Sequence, residues 1–284
     1  MPNHHYNVSY AMGSMVTATI YTEDDTLNDS SFSTVVEAIS ETENALSGTK
    51  INSELYSLNE HKMIYASDNF IKLFSDSVTL CNITERRVDI SIGKVTKPWG
   101  FNTDTPSLPS DETIKTAVEH VGVNKIVIDE ETKRVIIDHD IELDFGALGK
   151  GAACDAVYEA VKYEKIPMIL SIGGTVFAYR EPSSGKDWKI GIRDPYSDSA
   201  SHFAVLRLGP KAPKNAVFVS TSGSYEKTFT ENGKAYHHIL DPKTGYPVEN
   251  ELISVTVVAS SGLNADALST FFFINGFNAD TLSY

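Results

Sequence analysis

Four short apolar runs between residues 168 and 223, MILSIGG, WKIGIRD, FAVLRL and AVFVSTSG, are each ended by Gly, Pro, Asp or Ser. No other feature of the chain constrains its fold as much, because runs of this length with this punctuation read as strands. The same signal recurs at residues 13–21 (GSMVTATIY), at ISVTVVA, and at KIVIDEE and RVIIDHDIELDF, which a polar turn around Glu131 and Thr132 joins as a hairpin. Helical spacing is rarer. Phe32, Val35, Val36, Ile39 and Leu46 share one face, as do Ile114, Ala117, Val118 and Val121, with Ser110 placed to cap that helix and Gly122 to end it. A third helix fits residues 150–163, with Ala153, Val157, Ala160 and Val161 on one side, and a last one fits 264–274. Strands outnumber helices and hairpins dominate, so the expected class is α+β, with mixed or antiparallel sheets and packed helices, rather than a doubly wound parallel sheet. No linker is long enough to separate independent domains, and residues 1–284 are expected to form one.

At 284 residues the chain can hide roughly 70–75 % of its extended surface on folding, enough for a substantial core. Lys and Arg number 24 against 38 Asp and Glu, a net charge of −14 that repels nucleic acid and anionic lipid. An anionic ligand would therefore need backbone donors, a few isolated cations or a divalent metal. Cys81 and Cys154 lack the spacing of a zinc site and are expected as buried thiols in a reducing compartment. No stretch approaches the length of a membrane span, and MPNHHYNVSYAMGS lacks a basic region followed by an apolar one. The expectation is a soluble cytoplasmic protein, or an extracytoplasmic one if a leader has been trimmed.

Several segments could carry chemistry. LDFGALGKGAACD, residues 143–155, sets small residues between a β-rich run and a helix start, where exposed N–H groups favour phosphate oxygens and Lys150 adds a positive charge. It is neither a Walker A loop nor G-x-G-x-x-G. SIGGT at 171–175 allows close backbone approach at Gly173 and Gly174, although a plain sheet bend explains it equally well. YHHILDPKTGYPV places His237, His238 and Asp241 before a Pro–Gly turn. A serine triad with Ser222 lacks the G-x-S-x-G elbow, and a zinc site lacks further ligands. In NADALST, Asp266 and Thr270 stand four apart, on one helix face, and make a hard-oxygen pair suited to Mg²⁺; capping by Asn264 or Asp266 is the simpler reading of that segment alone.

Taken in order, MGS, NSELYSLN, Trp99-Gly100-Phe101, LDFGALGKGAACD, SIGGT, WKIGIRDP, STSGSYE, HHILDPKTGYPV, ISVTVVA and ADALST resemble the ApbE-type FAD:protein FMN transferases over nearly the whole chain. The resemblance implies an ApbE-like fold with a nucleotide cleft between two closely joined halves. It implies Mg²⁺-dependent cleavage of the FAD pyrophosphate, transfer of FMN to a threonine of an acceptor flavoprotein, and release of AMP. By the same resemblance Ala147 (through its carbonyl), Asp266, Ser269 and Thr270 are metal ligands. FAD contacts would come from Met12, Trp99, Gly100, Phe101, Asp144, Lys150, Gly173, Gly174, Ile239 and Leu240, with Trp99 or Phe101 against a flat ring. His238 is the expected general base, with Asp241 orienting it. Thr175 departs from the acidic or amide residue usual after the paired glycines, and Thr49 stands where many relatives carry an aromatic. The chain also stops at Tyr284, soon after FFFINGF, as though shortened. FAD hydrolysis to FMN and AMP, and FAD binding without turnover, are the competing readings.

Overall fold

The computed structural model describes residues 4–182, 187–197, 201–208 and 216–276. Residues 277–284, on which the expectation of a shortened C-terminus bears, lie outside the described residues. The chain divides into two compact units, each gathered from three stretches: Met1–Glu43, Leu148–Thr221 and Thr256–Ser269 in the first, and Asn44–Ala147, Ser222–Val255 and Thr270–Tyr284 in the second. A chain interleaved in this way has no linker to read, which is why the sequence suggests one undivided domain.

The first unit is built on a six-stranded sheet. Its strands are β1 (His5–Ala11), β2 (Ser14–Ile20), β6 (Met168–Ile172), β7 (Thr175–Tyr179), β10 (Ala216–Gly223) and β13 (Ser254–Ala259), in the order β1-β2-β6-β7-β10-β13. The β1–β2, β2–β6, β6–β7 and β7–β10 pairs are antiparallel, as the punctuated runs require. Register follows from burial: Val16, Ala18 and Ile20 alternate inward along β2, while Met15 is exposed. Two-residue turns at Met12-Gly13 and Gly173-Gly174 have positive φ at both positions, the geometry that matches the twist of a tight hairpin. Against the sheet lie α1 (Asp25–Leu46) and α6 (Gly149–Val161); Val35 and Ile39 from one and Ala153, Val157 and Val161 from the other meet Leu170, Phe177 and Phe218 in the core. Strands β8 (Trp188–Arg193) and β9 (His202–Leu208) form a separate antiparallel pair. β1 has no counterpart in the sequence reading, because its larger apolar residues, Tyr6, Val8 and Tyr10, face solvent.

Helix α7 (Gly262–Asn275) is tied to α6 by exchanged carboxylates. Asp155, inside α6, accepts from the N–H groups of Gly262 and Leu263 and from the Ser261 hydroxyl, so it caps α7. Asp266, in α7, accepts from the Gly151 N–H at 2.6 Å, in the first turn of α6, whose N-cap residue Leu148 makes no side-chain cap. Capping of α7 by Asn264 or Asp266 is thus corrected: Ser261 accepts from the Asn264 N–H, and Asp155 reaches across from the other helix. The exchange needs close contact, and a Cβ on Gly151 would lie 2.1 Å from the Gly262 carbonyl oxygen.

The second unit holds α2 (Glu54–His61), α3 (Asp68–Ile83), α4 (Gly93–Trp99) and α5 (Asp111–Glu119). It also holds a sheet ordered β3-β5-β4, from β3 (Met63–Tyr65), β4 (Ile126–Asp129) and β5 (Arg134–Ile137), and a hairpin of β11 (Thr228–Glu231) and β12 (Lys234–His237). Ser110 caps α5 as the sequence indicates, accepting from the Thr113 N–H, but the helix ends at Glu119, before Gly122. The β4–β5 hairpin is also as expected, yet β5 stops at Ile137, because Asp138 turns the chain by accepting from the N–H groups of Asp140 and Ile141. Helices α2 and α3 start at Ser53 and Ser67, each accepting from the N–H three residues on. Both cysteines are free and buried.

Candidate functional site

In the first unit several singled-out segments converge at turn ends of the sheet. A Cβ at Gly149 would stand 3.2 Å from the Met12 Cε, and one at Gly173 would stand 2.4 Å from the Ser14 hydroxyl and 3.6 Å from the Lys150 side chain. The β1–β2 turn, the β6–β7 turn and the start of α6 therefore meet, with Met12 held by its N–H on Glu43 at 3.0 Å. Beside them Asp266 is 4 % exposed. Its Oδ2 takes the Gly151 N–H and its Oδ1 accepts from the hydroxyls of Thr175, at 2.8 Å, and Ser220, at 2.5 Å. Thr175 is thus no gap in the pattern but a donor to the central carboxylate, and Ser220 is a second that sequence reasoning missed. Its only signal was a hydroxyl in the otherwise apolar run AVFVS.

Farther along α7, Ser269 is buried and donates to the Asp266 carbonyl, while the Thr270 hydroxyl, in the second unit, lies 3.1 Å from that of Ser222. The donors along this helix, the Asp266 carboxylate and the Ser269 and Thr270 hydroxyls, are hard oxygens, a chemistry that fits Mg²⁺, an ion that keeps waters and substrate phosphates as its remaining ligands. Among the described residues no group of three or more His, Cys, Asp or Glu could hold a metal.

In the second unit the HHILDPKTG segment begins at His237, the last residue of β12. His238 Nδ1 lies 3.0 Å from the Glu226 carbonyl. A carbonyl only accepts, so Nδ1 carries the proton and Nε2 is the basic nitrogen of the neutral ring. The Phe101 ring meets His238 edge-on at 6.5 Å. Asp241 is engaged elsewhere: its Oδ2 pairs with Arg87 at 2.9 Å, its Oδ1 accepts from the Lys243 N–H, and its backbone carbonyl accepts from Gly245. The partner at Nδ1 of His238 is therefore the Glu226 carbonyl, and Asp241 holds the turn that follows. His237 is half-buried, and that burial lowers its pKa, favouring the neutral ring.

Three of the expected ligand contacts, Trp99, Ile239 and Leu240, have buried side chains. Trp99 is fully buried, enclosed by Phe101, Phe229, Tyr236 and Tyr246, with its indole N–H donating to Gly245. It supports Phe101 and offers no face to a ligand. Ile239 and Leu240 are buried in apolar clusters, leaving only their backbone for recognition. Gly100 ends α4 with φ 65° and a Cβ there would crowd Thr103. Asp144 accepts from Thr96 and from the Gly146 N–H, which fixes the turn before α6.

A model of the ApbE family matches residues 12–282. The chain belongs to the ApbE family. Among its relatives are a FAD:protein FMN transferase of Klebsiella pneumoniae, 28 % identical over 92 % of this chain and 79 % of that protein, and one of Haemophilus influenzae, 31 % identical over 85 % and 71 %. Solved ApbE structures agree in fold. The ApbE protein of Thermotoga maritima superposes with a TM-score of 0.87 at 26 % identity, covering 96 % of this chain and 87 % of the other. The flavinyl transferase ApbE of Pseudomonas stutzeri, in its apo form, gives 0.82 at 26 % identity over 99 % and 87 %. The α+β fold of this chain is thus the ApbE fold.

Proposed function

We propose that the protein transfers FMN from FAD to a threonine hydroxyl of an acceptor flavoprotein, releasing AMP, with Mg²⁺ bound. The observation that carries this reading is His238, whose Nδ1 lies 3.0 Å from the Glu226 carbonyl so that Nε2 is the basic nitrogen of the neutral ring, in a chain whose relatives are FAD:protein FMN transferases. The threonine Oγ forms a bond to the phosphorus of the FMN half, the bond from that phosphorus to the bridging oxygen breaks, and AMP leaves with the bridging oxygen. The hydroxyl proton goes to His238 Nε2.

Asp266 and Thr270 would hold the metal, with the Ala147 carbonyl and Ser269 as the further candidate ligands, and when bound it would supply charge neutralisation at the pyrophosphate oxygens. Asp266 suits this task because Gly151, Thr175 and Ser220 fix both its oxygens. Lys150 and the N–H groups at the start of α6 would take phosphate oxygens, and Met12, Gly173 and Gly174 would line the same approach. Phe101, not Trp99, would meet a flat ring of the dinucleotide. In a chain of net charge −14 a divalent cation would add to Lys150 and these N–H groups in holding a doubly charged phosphate group. The test is incubation with FAD, Mg²⁺ and threonine-containing peptides; a flavin-phosphate adduct on threonine with equimolar AMP is expected, and AMP without adduct would reject transfer.

A further inference from the structure

Hairpin β11–β12 closes through Asn232-Gly233, both at positive φ, with Glu231 opposite Lys234. In a two-residue hairpin the closing pair is hydrogen-bonded and bonding alternates from there. Tyr236 therefore bonds to β11, while the N–H and C=O groups of Ala235 and His237 point away from it. Past the bend at His238, Ile239 and Asp241 meet the returning chain: Val248 N–H donates to the Ile239 carbonyl, and Asp241 N–H to that of Tyr246.

The returning chain does not continue alongside β12, and His237 shows why. In a regular ladder the Ile239 N–H would donate to the Val248 carbonyl. Instead the His237 ring sits between them, Nδ1 accepting from Ile239 at 3.3 Å and Nε2 3.0 Å from the Val248 carbonyl, to which it donates. The ring wedges the two strands apart. Beyond it opens a cavity of about 460 Å³, lined by Ala235, His237, Glu249, Asn250 and Leu252 among others, within the roughly 300–1,000 Å³ range of ligand pockets. Ala235 is exposed there.

We propose that the acceptor protein binds here as an extended strand, pairing its backbone with Ala235 and His237 on the open edge of β12 and so running past His238. Donor and acceptor groups repeating every second residue along one edge match an extended polypeptide and no small ligand. The rim ion pair of Lys234 with Glu249 leaves no net charge to select a phosphate or a cation. The proposal rests on the transfer reading, since only a protein acceptor needs a strand-shaped seat.

The test uses the full chain with FAD, Mg²⁺ and a pool of synthetic nine-residue peptides with a fixed central threonine. Ala235→Pro removes one outward N–H and no bond to β11. It should lower kcat/KM for the best-labelled peptide at least tenfold, chiefly through KM, with FAD affinity within twofold of wild type. Single N-methylation along that peptide should impair labelling at alternate positions. Should Ala235→Pro lose FAD binding through misfolding, the N-methyl series with the wild-type enzyme decides. Undiminished labelling by a folded Ala235→Pro, or an N-methyl series without alternation, would overturn strand docking and leave transfer standing. Failure of the wild-type enzyme to label any peptide would count against transfer itself, and the docking proposal would fall with it.

Discussion

At the scale of single residues, one hydrogen bond decides what His238 can do. With Nδ1 committed to Glu226, Nε2 is basic in the neutral ring, and His238→Ala is expected to cut transfer by about 10²–10⁴-fold. FAD affinity should change by less than about twofold, so mass detection of the adduct beside a binding titration separates the two. Asp266 offers a second residue-scale test. Thr175→Val deletes one of its hydroxyl donors while keeping the shape of the side chain, and should cost about 1 kcal/mol in a urea denaturation series. It should also raise the Mg²⁺ concentration needed for half-maximal activity. His238 and Asp266 could be singled out from sequence because their neighbours form distinctive strings. Thr175 and Ser220 could not be tied to Asp266, since they stand 91 and 46 residues from it and only the folded sheet brings them to it. The burial of Trp99 was not legible for a related reason: an aromatic beside Gly100 suits a ligand ring as well as a core, and its enclosure by four other rings is visible only in the fold.

At the scale of elements, the exchange of carboxylates between α6 and α7 joins two separate stretches of the first unit. Asp155→Ala removes the cap of α7 and leaves the Gly262 and Leu263 N–H groups without their acceptor. A loss of roughly 1–3 kcal/mol is expected in chemical denaturation. Gly151→Ala places a methyl group against backbone rather than a yielding side chain, and a penalty of roughly 3 kcal/mol is expected, enough to lower soluble yield. The His237 wedge makes a pH prediction. Burial depresses its folded pKa below 6.5, so as pH falls through about 6.5 the unfolded chain takes up a proton that the folded chain resists, and stability falls until the folded pKa is passed. Protonation would also convert Nδ1 from acceptor to donor against the Ile239 N–H. Denaturation midpoints measured above and below pH 6.5 should therefore show lower stability on the acid side, with the difference reduced in His237→Gln. Elements with a clean apolar period, such as α6, β2 and β10, were legible. Strand β1 was not, because its larger apolar side chains face outward, and β12 was not, because in KAYH the two apolar residues are adjacent and show no alternation.

At the scale of the whole molecule, the interleaving of two units along one chain explains both what sequence reasoning achieved and where it stopped. Each unit draws on three stretches, so the segments with recognisable strings are dispersed along the chain and only their order carries the family signal. That signal identified the ApbE fold and implied two joined halves, but it could not place the boundaries of the units, which leave no mark on composition. The same dispersion means that the proposed chemistry depends on the whole chain, and chelation of Mg²⁺ with EDTA is expected to stop AMP release and adduct formation together.

The most direct measurement is a mass balance on one reaction mixture containing the protein, FAD, Mg²⁺ and a threonine-containing acceptor peptide. Our account predicts one AMP for each peptide that gains an FMN unit on its threonine, and neither product with His238→Ala. AMP and free FMN accumulating at the same rate with or without the peptide, and no modified threonine, would contradict it.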